Sequence, residues 1–329
     1  MTSTVKNICV LGAGTWGWAV AHYLSNNKNN SVRIWTPTGK NLPHFLSLRT
    51  HPKLPDEKLD DSVLITDNLS CATDGADVLV MAVSSPYVRQ ISELLKSHYG
   101  SKNLRIISLV KGLEASTALT MSQIMREVLP KAEVCVLSGG SHAEEVIKGL
   151  PFALTAASSD LFFSEEVAQL FRQSNVGIKV SDDISGLEIS AALKNIISIA
   201  SGIADGQNLG DNFRSALITR GLHAIKELGV VCGAAPETFY EDCCLGDLLA
   251  TAFSNHSRNR RFGLLIGEGY SKAEALSRIG MAVEGLNALQ GALTLAEQQG
   301  LRIGFAEAIR DIVEGRKLPS EIVPLVLQD

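Results

Sequence analysis

Apolar positions along this chain follow two rhythms, and the change from one to the other falls near Asp182. Before it, short runs rich in β-branched residues read as strands over 5–11, 31–35, 63–66, 77–83, 105–110, 133–137, 152–156 and 177–180. Stretches with helical spacing separate several of them, notably 16–26, 87–97, 118–128 and 165–172. Strands alternating with helices predict a doubly wound, mainly parallel α/β sheet. After Asp182 only helical spacing remains, interrupted at 206–212, 229–236, 267–270 and Gly300. No Pro/Ser-rich linker, internal repeat or low-complexity tract intervenes. The pattern therefore predicts two domains, 1–183 with the sheet and 184–329 all helical.

One helical stretch stands apart because it has no polar face. Between 187 and 203 the apolar residues Leu187, Ile189, Leu193, Ile196, Ile197, Ile199 and Ile203 surround the axis, the profile of a buried helix. A single ammonium, Lys194, interrupts it, with Ser190, Ser198 and Ser201 on the same side and Asn195 one step round. A lysine there needs a partner or a cavity, or else loses its charge. A snorkelling stem is the plainer account of the same residue.

The first predicted strand runs directly into GAGTWG, so Gly12, Gly14 and Gly17 form GxGxxG between a strand and a helix. In that setting the first glycine turns the chain and the second lets backbone approach a pyrophosphate. The third lets helix pack on strand, and the helix N-terminus faces the phosphates. The domain 1–183 is thus expected to bind a dinucleotide. The second strand ends in Thr36-Pro37-Thr38-Gly39-Lys40, without the acid that usually reads the ribose hydroxyls of NAD. This favours NADP(H), or tolerance of both cofactors, with Lys40 or Arg33 as partners for the extra phosphate.

Further polar clusters lie at strand ends and in the helical half. The residues 84–86, Lys111-Gly112 and 138–141 follow strands, where ligands sit in such sheets, although turn chemistry explains all but Lys111. Gly210-Asp211-Asn212 precedes a helix and suits capping. Asp247 stands in an apolar setting, as a cap or as the partner of a buried lysine. The run SRNRRFG, 257–263, groups arginines with Ser257 and Asn259 and suits a small phosphorylated metabolite.

Composition narrows the classes. The chain has 329 residues, 45% of them hydrophobic, and a net charge of −5, which argues against a general nucleic-acid binder. Six cysteines without CxxC spacing read as reduced thiols and a cytoplasmic setting. Residues 1–6 lead straight into a strand, so no leader is expected. No apolar run approaches the roughly 18 residues that a bilayer requires, so no membrane span is expected either. Scattered histidines predict no metal.

Taken together, the motifs resemble the bacterial-type NAD(P)-dependent glycerol-3-phosphate dehydrogenase family. The resemblance runs through GAGTWG at 12–17, VKGLE at 110–114, SGGSHAEEV at 138–146 and ALKNIISIASGIADG at 192–206. It continues in GDN at 210–212, ALITRG at 216–221, LGDLLAT at 245–251, SRNRRFG at 257–263 and VEG at 283–285. It implies a Rossmann domain followed by a helical domain, a homodimer, and reversible reduction of dihydroxyacetone phosphate to sn-glycerol 3-phosphate for phospholipid synthesis.

By motif position the resemblance implies Lys194 as general acid/base, with Lys111 and Asp247 beside it. Those three, with Gly139, Ser141, Ser257, Arg258 and Asn259, are the implied substrate contacts. Gly12, Gly14, Thr15, Trp16, Gly17, Lys111, Ala143, Arg258 and Glu284 are the implied cofactor contacts. Three departures stand out: Gly140 replaces a usual proline, which would loosen that loop, and Thr36 replaces a usual arginine or histidine. Ile303-Gly304-Phe305 replaces a usual Met-Pro-Ile. Carboxylate-reducing relatives of similar architecture, such as ketopantoate or β-hydroxyacid dehydrogenases, fit the phosphate-type cluster less well. A non-catalytic sensor would not need Lys111, Lys194 and Asp247 together.

Overall fold

The computed structural model describes residues 6–328; Val5, expected to open the first strand, lies outside the described residues, as does Asp329. The chain divides into two units. One comprises Met1–Val110, Met121–Leu137 and Ser141–Asp182, the other Lys111–Thr120, Ser138–Gly140 and Asp183–Asp329.

The first unit is built on a sheet of eight strands: β1 (Lys6–Leu11), β2 (Asn30–Trp35), β3 (Leu64–Thr66), β4 (Val78–Met81), β5 (Arg105–Ser108), β6 (Glu133–Ser138), β7 (Phe152–Ser158) and β8 (Val176–Ser181). Their order is β3-β2-β1-β4-β5-β6-β7-β8. Ile8 of β1 registers with Val32 on one side and Val78 on the other, both pairings parallel. Strands covered on both faces read as unbroken apolar runs, and β4 is buried at every position. The order reverses between β1 and β4, which makes the carboxyl end of β1 the place where such sheets take ligands. The turn 12–14 begins there.

Element edges differ from the sequence expectation where loops intrude. The helix expected from 118 begins at Met121, because Ala118 adopts a left-handed φ of 59° and Leu113 bridges Thr120. The helix expected from 165 begins at Leu161, where the Asp160 side chain accepts from the Phe162 N–H at 2.9 Å. The exposed apolar residues Leu161 and Phe162 disguise that start.

In the second unit the helix Ile184–Gly206 is buried from Gly186 to Ala204, and other helices wrap it. Asp183 starts it: one carboxylate oxygen accepts from the Gly186 N–H at 2.8 Å, the other from the Ala235 N–H at 3.0 Å and the Thr238 hydroxyl at 2.6 Å. By length and composition this helix would pass as a membrane span, with a mean hydropathy of 1.3, which corrects the expectation of no such run. All of that apolar window is buried inside the protein, so its surroundings are side chains and not lipid. The helix Arg258–Gly267 lies against it backbone to backbone. A Cβ on Gly202 would overlap the Arg260 carbonyl oxygen, and one on Gly263 would overlap that of Ile199.

The residues 210–212 do not cap a helix as expected. They form the first turn of Gly210–Val231, whose N-cap, Leu209, makes no side-chain bond. Asp211 instead pairs with Arg214 at 2.7 Å.

Candidate active site

Two lysines share one buried carboxylate in the second unit. Lys194 Nζ lies 2.8 Å from Asp247 Oδ1 and donates to Thr251 Oγ1 at 2.5 Å. Lys111 Nζ lies 2.7 Å from Asp247 Oδ2 and donates to the Gly139 carbonyl at 3.0 Å. The Thr251 hydroxyl donates to the Asp247 main-chain carbonyl at 2.7 Å, so it must accept from Lys194. Lys194 and Asp247 are each 3% exposed, whereas Lys111 is only partly covered.

Local sequence explains this placement. Lys194 sits mid-way along the buried helix, and Asp247 opens the helix Asp247–Phe253 after a π-helical turn over Asp242–Gly246. Such wide turns reorient side chains and recur at functional sites. Of the two roles open to Asp247 in the sequence, the structure chooses the lysine partner. Lys111 belongs to an excursion that packs with the helical unit, where the Thr294 hydroxyl holds the Ala115 carbonyl at 3.3 Å and Gln298 holds that of Thr117 at 3.2 Å.

Burial is the largest influence on Lys194 and brings it down to about 8; the Asp247 charge opposes this and the Lys111 charge assists it. The carboxyl of Asp247 is pushed up by burial, but the two ammonium groups outweigh that and hold it below its ordinary value. The serines on the lysine's side of the helix do not join the cluster. Ser190 donates to the Leu187 carbonyl at 3.1 Å, Ser198 to that of Lys194 at 3.1 Å, and Ser201 to that of Ala252 at 3.3 Å.

The run 257–263 divides between structural and available groups. Ser257 caps the helix Arg258–Gly267 by accepting from the Arg260 N–H at 3.2 Å. Arg260 is committed to Asp205 at 2.7 Å and so drops out of the phosphate set. Asn259 donates to Asn195 Oδ1 at 2.9 Å and accepts from the Gly285 N–H at 2.9 Å, so it joins three helices beside Lys194. Arg258 donates to the Ala282 carbonyl at 3.0 Å. Burial raises the carboxyl of Glu284 above its ordinary value, while the charges of Arg258, Lys111 and Lys194 draw it down.

In the first unit the glycine turn has the form that a pyrophosphate needs. Gly12 adopts φ +116°, and a Cβ on Gly17 would overlap the Gly12 carbonyl oxygen. Gly14 is exposed and has no neighbour within 4 Å of its Cβ position. It is the N-cap of Thr15–Ser25 and makes no side-chain cap, so the first N–H groups of that helix are left for an anion. Thr15 and Trp16 are partly exposed beside them. Ala143 opens the short helix Ala143–Val146, which packs on Thr15–Ser25, and Ser141 precedes it. This backbone cradle fits a dinucleotide.

Comparison with known proteins agrees with this geometry. The model of the NAD-dependent glycerol-3-phosphate dehydrogenase N-terminus matches residues 7–163, and that of the C-terminus matches 183–324. The chain belongs to this family. A glycerol-3-phosphate dehydrogenase [NAD(P)+] of Thermoanaerobacter sp. (strain X514) is 40% identical over 316 residues, 96% of this chain and 95% of that protein. The one from Fusobacterium nucleatum is 39% identical over 98% of this chain and 97% of its own. The crystal structure of glycerol-3-phosphate dehydrogenase from Coxiella burnetii superposes with a TM-score of 0.93 at 31% identity, covering 98% of this chain and 99% of that one. The Rossmann-like sheet and helical second unit are those of the family.

Thr251 and Asn195, which the structure brings to the cluster and to Asn259, escaped assignment by sequence reasoning. Thr251 was findable, since it stands one helical turn after Asp247 and faces the same way. Asn195 is adjacent to Lys194, yet its bond to Asn259 spans 64 positions. Gly140 is packed, with its Cβ position 3.4 Å from the Ala250 Cβ. Phe305 of the replaced 303–305 segment belongs to the hydrophobic core of the helical unit.

Proposed function

We propose that this chain is an NAD(P)-dependent sn-glycerol-3-phosphate dehydrogenase, which reversibly reduces dihydroxyacetone phosphate and supplies glycerol 3-phosphate for phospholipid synthesis. The observation that carries the reading is the Lys111–Asp247–Lys194 cluster, with its buried amine brought down to about 8. When bound, the nicotinamide supplies or accepts the hydride.

Lys194 donates a proton to the ketone oxygen in reduction and removes it from the alcohol in oxidation. Asp247 keeps that amine in place, and Thr251 accepts one of its hydrogens, which leaves another for substrate. Lys111, beside it on the same carboxylate, offsets the negative charge that grows on the oxygen. Arg258 and Asn259 hold the substrate phosphate, with Ser257, Gly139 and Ser141 completing the contacts, so that remote binding energy orients the reacting carbon. Gly12, Gly14, Thr15, Trp16, Gly17 and Ala143 hold the dinucleotide, together with Lys111, Arg258 and Glu284. Dihydroxyacetone phosphate is neither a carboxylate nor a polymer, which suits a site made of ammonium, guanidinium and amide groups.

The enzyme works as a homodimer in the cytoplasm; all six cysteines are free thiols, in keeping with a reducing compartment. The deciding experiment follows NADH and NADPH oxidation with dihydroxyacetone phosphate beside α-keto acids. Turnover confined to dihydroxyacetone phosphate is expected. Turnover of the keto acids alone, or of neither, rejects the assignment.

A further inference from the structure

Strand β2 ends without an acid, yet a carboxylate reaches that place from its neighbour β3, which ends one residue before Asp67. The Trp35 indole donates to the Asp67 carbonyl at 2.9 Å. The Thr36 N–H donates to the Thr66 carbonyl at 3.0 Å, and the Asn68 N–H to Thr66 Oγ1 at 3.1 Å. These bonds fix the Asp67 backbone against the end of β2. Its side chain turns toward the loop that follows β2, where Oδ2 lies 3.4 Å from the Cβ position of Gly39. Among the described residues that carboxylate has no hydrogen-bond or ion-pair partner, and it is exposed.

The cations once expected there are differently placed. Arg33 donates to the main-chain carbonyls of Asp74 at 2.5 Å and Cys71 at 3.4 Å, at the end of the short helix Leu69–Thr73. One of its guanidinium nitrogens is therefore held by main chain at that helix end. Lys40 is exposed in the turn Gly39–Asn41, and its ammonium has no hydrogen bond or ion pair among the described residues. A backbone-anchored acid beside the loop after β2 suits the two hydroxyls of an adenosine ribose and repels a phosphate on one of them.

Resting on the reading that this chain uses a nicotinamide dinucleotide, we infer that Asp67 is its cofactor-specificity residue, supplied by β3 in place of β2. It sets the enzyme for NAD(H) over NADP(H), the reverse of the preference expected from the β2 sequence.

Calorimetric titration of the full chain and of Asp67→Asn with NADH and with NADPH tests this, read as binding and not as turnover. The wild type should bind NADH about tenfold more tightly than NADPH, the scale of one charge-assisted hydrogen bond. In Asp67→Asn the ratio should fall by about the same factor, with NADPH binding strengthened as NADH binding weakens. A ratio that does not move in Asp67→Asn overturns the inference. So does an NADPH preference in the wild type that Lys40→Ala abolishes. Dihydroxyacetone phosphate turnover by the wild type, measured alongside, separates the two readings. With turnover present and the ratio unmoved only the Asp67 assignment fails, whereas binding of neither dinucleotide removes both.

Discussion

At the scale of single residues the proposed chemistry rests on one carboxylate between two lysine side chains. Lys194→Ala should lower turnover at least a thousandfold, the range typical of a lost general acid combined with a lost electrostatic donor, with NADH affinity kept. Near-normal turnover would remove Lys194 from the mechanism. Because burial brings the Lys194 amine down to about 8, glycerol 3-phosphate oxidation should rise as pH increases through that value. Reduction, which needs the protonated form, should fall over the same interval. Asp247→Asn withdraws the charge that raises Lys194, so both limbs should move to lower pH. It should also cost about 3 kcal/mol of stability, as breaking a buried ion pair does; a pH–rate profile and a denaturant titration check the two parts. Lys194 was legible as an oddity in an apolar helix, and Asp247 as an acid in an apolar setting. A pairing with a buried lysine was one of two roles open to Asp247 and the one the resemblance implied; only the structure chose it over a helix cap, because 53 positions separate the pair and no local rule couples them.

At the scale of elements, the contact between Ile184–Gly206 and Arg258–Gly267 places Asn259, a proposed phosphate contact, beside Lys194, the proposed proton donor. Gly263→Ala would press a methyl against the Ile199 carbonyl, and the helices must separate to accept it. The expected cost is about 2 kcal/mol, as for overpacking of a core, together with a raised KM for dihydroxyacetone phosphate. An unchanged denaturation midpoint and KM would show that the seam tolerates the methyl. The glycines themselves were visible in the sequence. Their use as a seam was not, because a glycine in a helix looks the same whether it faces solvent or another backbone. The serines show the opposite error: helical spacing put Ser190, Ser198 and Ser201 on the lysine's side correctly, but nearby carbonyls take their hydroxyls.

At the scale of the whole molecule, two units with separate cores bring a dinucleotide cradle and a lysine cluster into one chain. NADH at about a hundredfold excess over its Kd should stabilise the protein by about 2.7 kcal/mol, visible as a higher Tm. A Tm indifferent to NADH would argue against a folded cradle.

Alternation of strands and helices, the glycine turn and the apolar helix with its one lysine were fixed by residues close together in sequence, where hydrophobic period and backbone freedom act. Tertiary structure alone decided that residues 111–120 pack with the helices, and that Asp247 joins two lysines instead of capping a helix. It also decided that Arg33 and Arg260 are occupied elsewhere, and that Asp67 stands where β2 lacks an acid. Each of those outcomes depends on which distant groups meet after burial, since hydrogen bonds and charges are satisfied in space and not along the chain.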